Sequence, residues 1–342
     1  MRNAQLATCR SWIRRRRGLR EYATSDDYGD GVRAFVKTDA SGSNFELADV
    51  EVPAIDADQL LVRLHAVGVG IHDSYFMPEA VSYPYPIGIE GAGVVQAVGS
   101  GVTGHRAGDR VAFISSMQTK GGTWAEFAVV DSSSSDRRMP AALDFTEAAA
   151  LPVAGGTSLR ALAALHHIPF GASLFIAGGS GAIGSLTIQI ARQRGWRVGA
   201  SASARNHDYM RSLGAEVAVD YHDERWAAEI RRWQPEGVDA AIAVQPETTA
   251  ESMRIVRDGG TVITISGDRV TPERGIQVKM VGNEPDVRDE LSQLLTDVSE
   301  KKVHLELEQV YPFAAAAEAL ARVQTRHVRG KLVLRLDPPE SG

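Results

Sequence analysis

Cysteine is nearly absent from this chain of 342 residues: there is one, Cys9. It lies in the N-terminal segment, so the body that follows has none. That excludes disulfides, cysteine-ligated zinc and a thiol nucleophile together, and it fits a reducing compartment. Long apolar runs are missing too. The stretch from Ala161 to Ala177 is broken by His166, His167 and Pro169, so no membrane-spanning helix is expected. There is no internal repeat, and the tetraserine Ser132 to Ser135 reads as a loop. The first twenty residues contain no acid and seven arginines (Arg2, Arg10, Arg14 to Arg17 and Arg20); without those seven charges the net charge falls from −6 to −13. A body this acidic argues against nucleic acid as a partner.

Three readings stay open for the basic segment. Its arginines, lack of acid and the following Arg20-Glu21-Tyr22-Ala23 resemble a mitochondrial presequence with its processing site. It equally reads as a disordered basic arm for an acidic partner, or as an over-extended start ahead of a first strand, Val32-Arg33-Ala34-Phe35-Val36-Lys37. All three put residues 1–31 outside the fold. The expected location is cytoplasmic, or the mitochondrial matrix if residues 1–22 are a presequence.

The most informative stretch is Gly171 to Asn206. Ser173 to Ala177 is an apolar run without alternation, as in a strand buried on both faces of a parallel sheet. Gly178, Gly181 and Gly184 follow at G-x-x-G-x-x-G spacing. Then Ile183, Leu186, Ile190 and Ala191 recur at helical spacing with Gln189, Arg192 and Gln193 opposite, and Gly195 ends the helix before the strand Trp196 to Ser201. Free N–H groups and the positive end of a helix dipole stabilise a pyrophosphate, and glycines let the backbone approach it. Strand, glycine turn and helix in this order therefore predict a dinucleotide site over Gly178, Ser180, Gly181, Ala182, Ile183 and Gly184. A site for NAD usually has Asp or Glu at the end of the second strand to hold the ribose 2′-hydroxyl. Here Ser201, Ala202, Ser203, Ala204, Arg205 and Asn206 precede the first carboxylate, Asp208. Hydroxyls and a guanidinium suit a 2′-phosphate, so the expected cofactor is NADP, with Ser201, Ser203 and Arg205 facing that phosphate.

Along the chain, residues 32–150 read as mostly β: Val32 to Thr38, Gln59 to Gly70, Gly91 to Val98, Arg110 to Ser115 and Thr123 to Val130, punctuated by Pro, Gly and Asp. Helices are expected over Thr146 to Leu151 and Gly156 to His166. After the glycine unit, helices over Asn206 to Leu213 and Asp223 to Trp233 alternate with strands over Val217 to Asp220, Val238 to Val244 and Gly260 to Ile265. That alternation implies an α/β, doubly wound parallel sheet. Helices over Asp286 to Ser299 and Phe313 to Gln324 and a last strand over Lys331 to Leu336 complete the chain.

Several stretches together resemble the zinc-independent quinone oxidoreductase branch of the medium-chain dehydrogenases/reductases. They are Gly88-Ile89-Glu90-Gly91-Ala92-Gly93-Val94-Val95, Gly108-Asp109-Arg110-Val111, Gly155-Gly156-Thr157-Ser158, the glycine turn, and Arg329-Gly330-Lys331-Leu332-Val333-Leu334. The resemblance covers about residues 32–336. It implies a GroES-like β domain over 32–153, completed by 301–342, and a Rossmann NADP-binding domain over 154–300, with cofactor and substrate meeting in the cleft between them. It also places Thr157 near the nicotinamide and Tyr221 beside the adenosine. Val244, Ser266 and Gly267 end later strands of the sheet, where ligands collect. The tail near Arg329 is expected to close the cleft. The family's segment before the final helix borders a dimer interface; here Asp268 to Pro285 is brief and polar, which leaves a homodimer an open expectation.

The zinc alcohol dehydrogenases of the same superfamily draw a catalytic Cys from the position of Gly70 and a His from that of Ile89. Neither residue here ligates a metal, and the cysteine-rich structural zinc lobe is missing, so no metal is expected. His72 has no partner ligand at suitable spacing, His166 and His167 read as surface or packing residues, and Asp73 reads as holding a turn. The expected chemistry is hydride transfer from NADPH to a small electrophile, a quinone or an α,β-unsaturated carbonyl, with hydrogen-bond donors stabilising charge on the carbonyl oxygen. The candidate donors are Tyr75, Tyr83 and Tyr85, with His72 and Ser74 behind them. By resemblance Tyr75 lies beside the nicotinamide, and Tyr83 and Tyr85 fall where some enoyl reductases place a donor. These rings alternatively only wall an apolar pocket. The alternative functions are reduction of an enoyl thioester, or a nucleotide-binding role without catalysis.

Overall fold

The computed structural model describes residues 31–40, 44–115, 117–132 and 137–336. The basic segment with Cys9, and Ser133 to Ser135 of the tetraserine, lie outside the described residues.

The dinucleotide-type unit expected from the sequence forms around a six-stranded parallel sheet. Its strands lie in the order Val217–Val219, Arg197–Ser201, Ser173–Ala177, Val238–Ala243, Val256–Thr264 and Gln277–Met280. Numbered along the chain this is 3-2-1-4-5-6, with every pair parallel. The first strand, Ser173–Ala177, is buried at all five positions, as its unbroken apolar run requires. Strand order reverses beside it, which opens a crevice at the carboxyl ends of the first and fourth strands. The helix Ala182–Gln193 buries Leu186, Ile190 and Ala191 as its spacing predicts, leaves Ile183 part-buried, and buries Thr187 and Ile188 as well. The stripe is wide because the helix is wedged between the sheet and the helix Pro152–Ala163. Each of Leu186, Ile188 and Ile190 contributes about 1.5–3 kcal/mol of burial.

A second body is built on a seven-stranded, mostly antiparallel sheet. Its strands are Leu307–Pro312, Lys331–Arg335, Gln59–Val69, Glu90–Val98, Arg110–Ile114 and Arg137–Arg138 in that order, with Phe127–Asp131 paired to Gln59–Val69. Two of these come from the C-terminal tail: Leu332–Arg335 pairs antiparallel with Ala66–Val69. A small sheet of Glu46–Val50, Val32–Lys37 and Tyr85–Pro86 closes one end. Trp124, Phe113, Leu60 and Ile87 are fully buried in this body, and Phe35 meets Phe45, Trp124 and Phe313 edge-on.

Several boundaries differ from the sequence reading. The helix expected from Gly156 starts at Pro152 and takes in Gly155 and Gly156. A Cβ on Gly155 would stand 2.7 Å from Leu294 Cδ2, so this glycine is a contact surface for the helix Arg288–Ser299 and not a break. The strand expected from Thr123 starts at Phe127. The segment 268–285 holds a further strand, Gln277–Met280, at the exposed edge of the sheet, where polar and apolar residues alternate over four positions only. The helix Thr248–Met253 and the strands Glu46–Val50 and Leu307–Pro312 are further elements that local pattern did not anticipate.

Candidate functional site

The crevice at the switch point is shaped by four glycines with different tasks. Gly178 sits at φ +96°, and its N–H and that of Gly179 both donate to the Ser201 carbonyl. A Cβ on Gly179 would stand 2.7 Å from Ala200 Cβ and Met210 Sδ, and one on Gly184 would stand 2.2 Å from the Gly178 carbonyl oxygen. These two permit close packing of turn, strand and helix. Gly181 differs: a Cβ there would meet nothing nearer than 3.9 Å. It is the N-cap of the helix Ala182–Gln193, and no side chain caps that end. The first helical N–H groups thus face open space beside a backbone that lacks a side chain, which is the shape and polarity a pyrophosphate needs.

The space is part of a cavity of about 680 Å³. Gly178, Ser180, Gly181, Ser201, Ser203, Arg205 and Tyr221 all line it, so residues far apart in the chain meet there as the dinucleotide reading requires. Ala182, Ile183 and Gly184 continue into the helix behind it. Thr157, Val244, Ser266 and Gly267 do not line it. Thr157 sits part-buried in the helix Pro152–Ala163. Val244 lies against Gly178, with its N–H donating to the Ala177 carbonyl at 3.1 Å. Ser266 and Gly267 follow the strand Val256–Thr264, with Gly267 at φ +76°.

The loop after the second strand is held by a carboxylate that points at backbone. Asp220 accepts from the N–H of His222 at 2.9 Å and from that of Ala204 at 3.1 Å. The His222 backbone bond is the main cause of the lowered pKa of Asp220. Arg205 is exposed, and its guanidinium reaches the His327 carbonyl at 3.5 Å. Asn206 is buried and donates to Ser180 Oγ at 3.2 Å, tying this loop to the glycine turn. Asn206 was not singled out from sequence, although it directly follows Arg205.

The C-terminal tail reaches the same place. Thr325, Arg326, His327 and Val328 line the cavity. Arg326, at φ +59°, points to Gln245 Oε1 at 3.5 Å. The expectation that the tail closes the cleft near Arg329 is thus shifted a few residues earlier. Arg329 itself pairs with Glu306 at 2.8 Å and lies over the Tyr209 ring. Next to it the Gly330 N–H donates to the Ser180 carbonyl at 2.9 Å, so the tail is bonded to the glycine turn. Lys331 then turns inward and pairs with Glu90 at 2.5 Å, both nearly buried. Glu90 also accepts from the Val153 N–H at 2.7 Å. Beside this pair is Asp73, which accepts from the Gly70 N–H at 2.6 Å. Burial raises its pKa to about 7, against the pull of Lys331. A closed set of charges occupies the neighbourhood of Gly70 and Ile89. Among the described residues no three His, Cys, Asp or Glu side chains converge as a metal centre would need.

The three tyrosines part company. Tyr85 is buried, donates from its hydroxyl to the Gln118 carbonyl at 2.6 Å, and has its pKa pushed up to about 12 by burial. Its assignment as a donor to substrate is corrected: the hydroxyl already serves the fold. Tyr75 is exposed and meets the His72 ring edge-on at 5.3 Å. Burial, then Arg326 and Lys331, lower the pKa of His72. Tyr83 is exposed at the edge of the same loop.

Comparison with known proteins agrees with this geometry. Residues 56–136 match a family model described as the alcohol dehydrogenase GroES-like domain, and residues 213–334 match one described as zinc-binding dehydrogenase. The chain is 30% identical to the chloroplastic NADPH-dependent alkenal/one oxidoreductase of Arabidopsis thaliana over 317 residues, 89% of this chain and 79% of that one. The chain belongs to the quinone oxidoreductase-like family of medium-chain dehydrogenases/reductases. Another relative is the quinone oxidoreductase of Rattus norvegicus, 31% identical over 225 residues, 64% of this chain and 67% of that one. The structure of the quinone oxidoreductase from Coxiella burnetii superposes with a TM-score of 0.79 at 26% identity, covering 90% of this chain and 99% of that one. As a family oxidoreductase the chain uses a nicotinamide cofactor and a small-molecule substrate. Among the described residues no helix is long and apolar enough to cross a membrane.

Proposed function

We propose that the protein is an NADPH-dependent reductase that transfers hydride to quinones or α,β-unsaturated carbonyls without a metal. The observation that carries the reading is the cavity. An uncapped helix start at Gly181 and the set Ser201, Ser203 and Arg205 open onto one space, and the nearby Asp220 is committed to backbone N–H groups. Bound there, NADPH would supply a hydride. An enone would accept it at the β-carbon with a proton at the α-carbon, and a quinone would accept hydride and proton to become a hydroquinone. The chain's own task is to hold the pyrophosphate on backbone N–H groups, the 2′-phosphate on Arg205, and the developing oxyanion on a donor hydroxyl, Tyr75 or Tyr83. Two features support a metal-free route. Gly70 and Ile89 bring no ligating atom, and the buried Lys331–Glu90 pair with Asp73 fills their surroundings.

The test is cofactor oxidation by the full chain with quinones, enones and enoyl thioesters, with NADPH and NADH in parallel. Turnover of the first two classes with a preference for NADPH is expected. Turnover of thioesters alone would assign acyl-chain reduction instead, and NADPH binding without turnover of any class would assign a non-catalytic role.

A further inference from the structure

Four of the large apolar side chains that the described residues expose sit on segment 83–89 or on loops next to it: Tyr75 (55% exposed), Phe76 (49%), Tyr83 (37%) and Met117 (53%). Those loops are hydrogen-bonded to that segment from its two sides. Residues 72–76 turn on the His72 carbonyl, which accepts from the N–H groups of Tyr75 and Phe76, and the Gly88 N–H donates to the Asp73 carbonyl. On the other side of segment 83–89, the Tyr85 hydroxyl holds the Gln118 carbonyl, the Gly122 N–H donates to the Pro86 carbonyl and the Ser115 N–H donates to the Ile89 carbonyl. Met117 is presented from a left-handed backbone, φ +65°, a conformation that costs energy in a non-glycine residue and collects at functional sites. On the side of the cavity, the Tyr75 ring meets that of His72 edge-on, and Arg326 of the cavity wall helps lower the pKa of His72.

We infer that these loops form an apolar rim for the hydrocarbon part of the substrate, so that the preferred electrophiles are lipophilic, long-chain enones or quinones. The inference rests on the reductase reading above. Two rings and a polarizable, adaptable thioether suit alkyl chains of varied shape. Other occupants fit less well. Four half-exposed side chains offer roughly half of the ~800 Å² per partner that a stable protein interface buries. An anionic membrane surface wants free lysine or arginine beside the apolar residues. Here Glu79 is exposed nearby, and Lys120 is bound to Asp56 at 2.7 Å and to Gln59.

The experiment is kcat/KM for a series of straight-chain vinyl ketones, lengthened one methylene at a time, with NADPH and the full chain. A fully buried methylene is worth about fourfold, so a half-open rim should give about twofold per methylene. The double variant Phe76→Ser, Met117→Ser is expected to flatten that slope while kcat on the shortest ketone and the unfolding midpoint stay near wild type. A flat series in the wild type, or an undiminished slope in the variant, would overturn the rim. So would an unchanged slope together with loss of binding to phosphatidylcholine vesicles or a change of oligomeric state, since either would reassign the patch. Absence of turnover on the shortest ketone and on simple quinones would instead remove the reductase reading itself, and the rim with it.

Discussion

At the glycine turn the molecule works with backbone, and at the loops around residues 71–122 it works with side chains. The turn places bare N–H groups and a bare Cα at the mouth of a sheet whose strand order leaves no other choice of location. The loops place tyrosines, a phenylalanine and a methionine on segments held by scattered hydrogen bonds. A backbone site is specified by a few glycines close together in sequence. A side-chain site depends on which of several similar residues the fold consumes: Tyr85 is consumed by Gln118, whereas Tyr75 and Tyr83 are not.

The largest expected effect separates packing glycines from the open one. Gly184→Ala would put a Cβ against the Gly178 carbonyl and should cost about 3 kcal/mol in denaturant unfolding, with loss of cofactor binding. Gly181→Ala has room. It should stay within about 1 kcal/mol of wild type in stability, yet bind NADPH about tenfold more weakly by titration of cofactor fluorescence, because the phosphate path narrows. Equal stability losses in the two variants would break the contrast.

On the side-chain half, loss of an oxyanion donor typically costs about a hundredfold in kcat. Of Tyr75→Phe and Tyr83→Phe, one is expected to show such a loss with stability unchanged, whereas Tyr85→Phe should cost about 1 kcal/mol of stability with kcat near wild type. If Tyr85→Phe alone lowered kcat, Tyr85 would be the donor to substrate. Next in size, Arg205→Ala should lower the NADPH-over-NADH preference about tenfold or more, as loss of a charge-assisted bond would. An unchanged preference would sink the assignment of that residue.

A further effect, spread over several pH units, concerns the buried charges that join the halves. Asp73 has a folded pKa of about 7 against an ordinary value of 3.8. The folded state therefore binds more protons than the unfolded one between those values, and stability falls as pH rises through that window, by at most about 1.4 kcal/mol per pH unit. Asp73→Asn keeps an acceptor for the Gly70 N–H and should flatten the slope of stability against pH. The same slope in both proteins would place the titration elsewhere.

The legible part of the molecule follows from distance along the chain. The strand Ser173–Ala177, its turn and its helix lie within one short stretch, and their spacing carries their shape. The cavity needs more. Asn206 gives no signal beyond adjacency to Arg205, and Thr325 to Val328 reach the cavity because Leu332–Arg335, just after them, pairs with Ala66–Val69. Gly155 lies outside the helix expected from Gly156, and its place inside the helix makes sense only once Leu294 is seen against it. The fate of the Tyr85 hydroxyl depends on a carbonyl 33 residues away, which no local pattern encodes. The edge strand Gln277–Met280 does alternate polar and apolar residues, but over only four positions inside a polar stretch, the least that such a pattern spans.

The most direct measurement is NADPH oxidation by the full chain with a simple quinone and a simple enone, in the presence and absence of a metal chelator. The account predicts turnover of both, faster with NADPH than with NADH and unchanged by the chelator. Turnover abolished by the chelator, or bound NADPH that no electrophile oxidises, would contradict it.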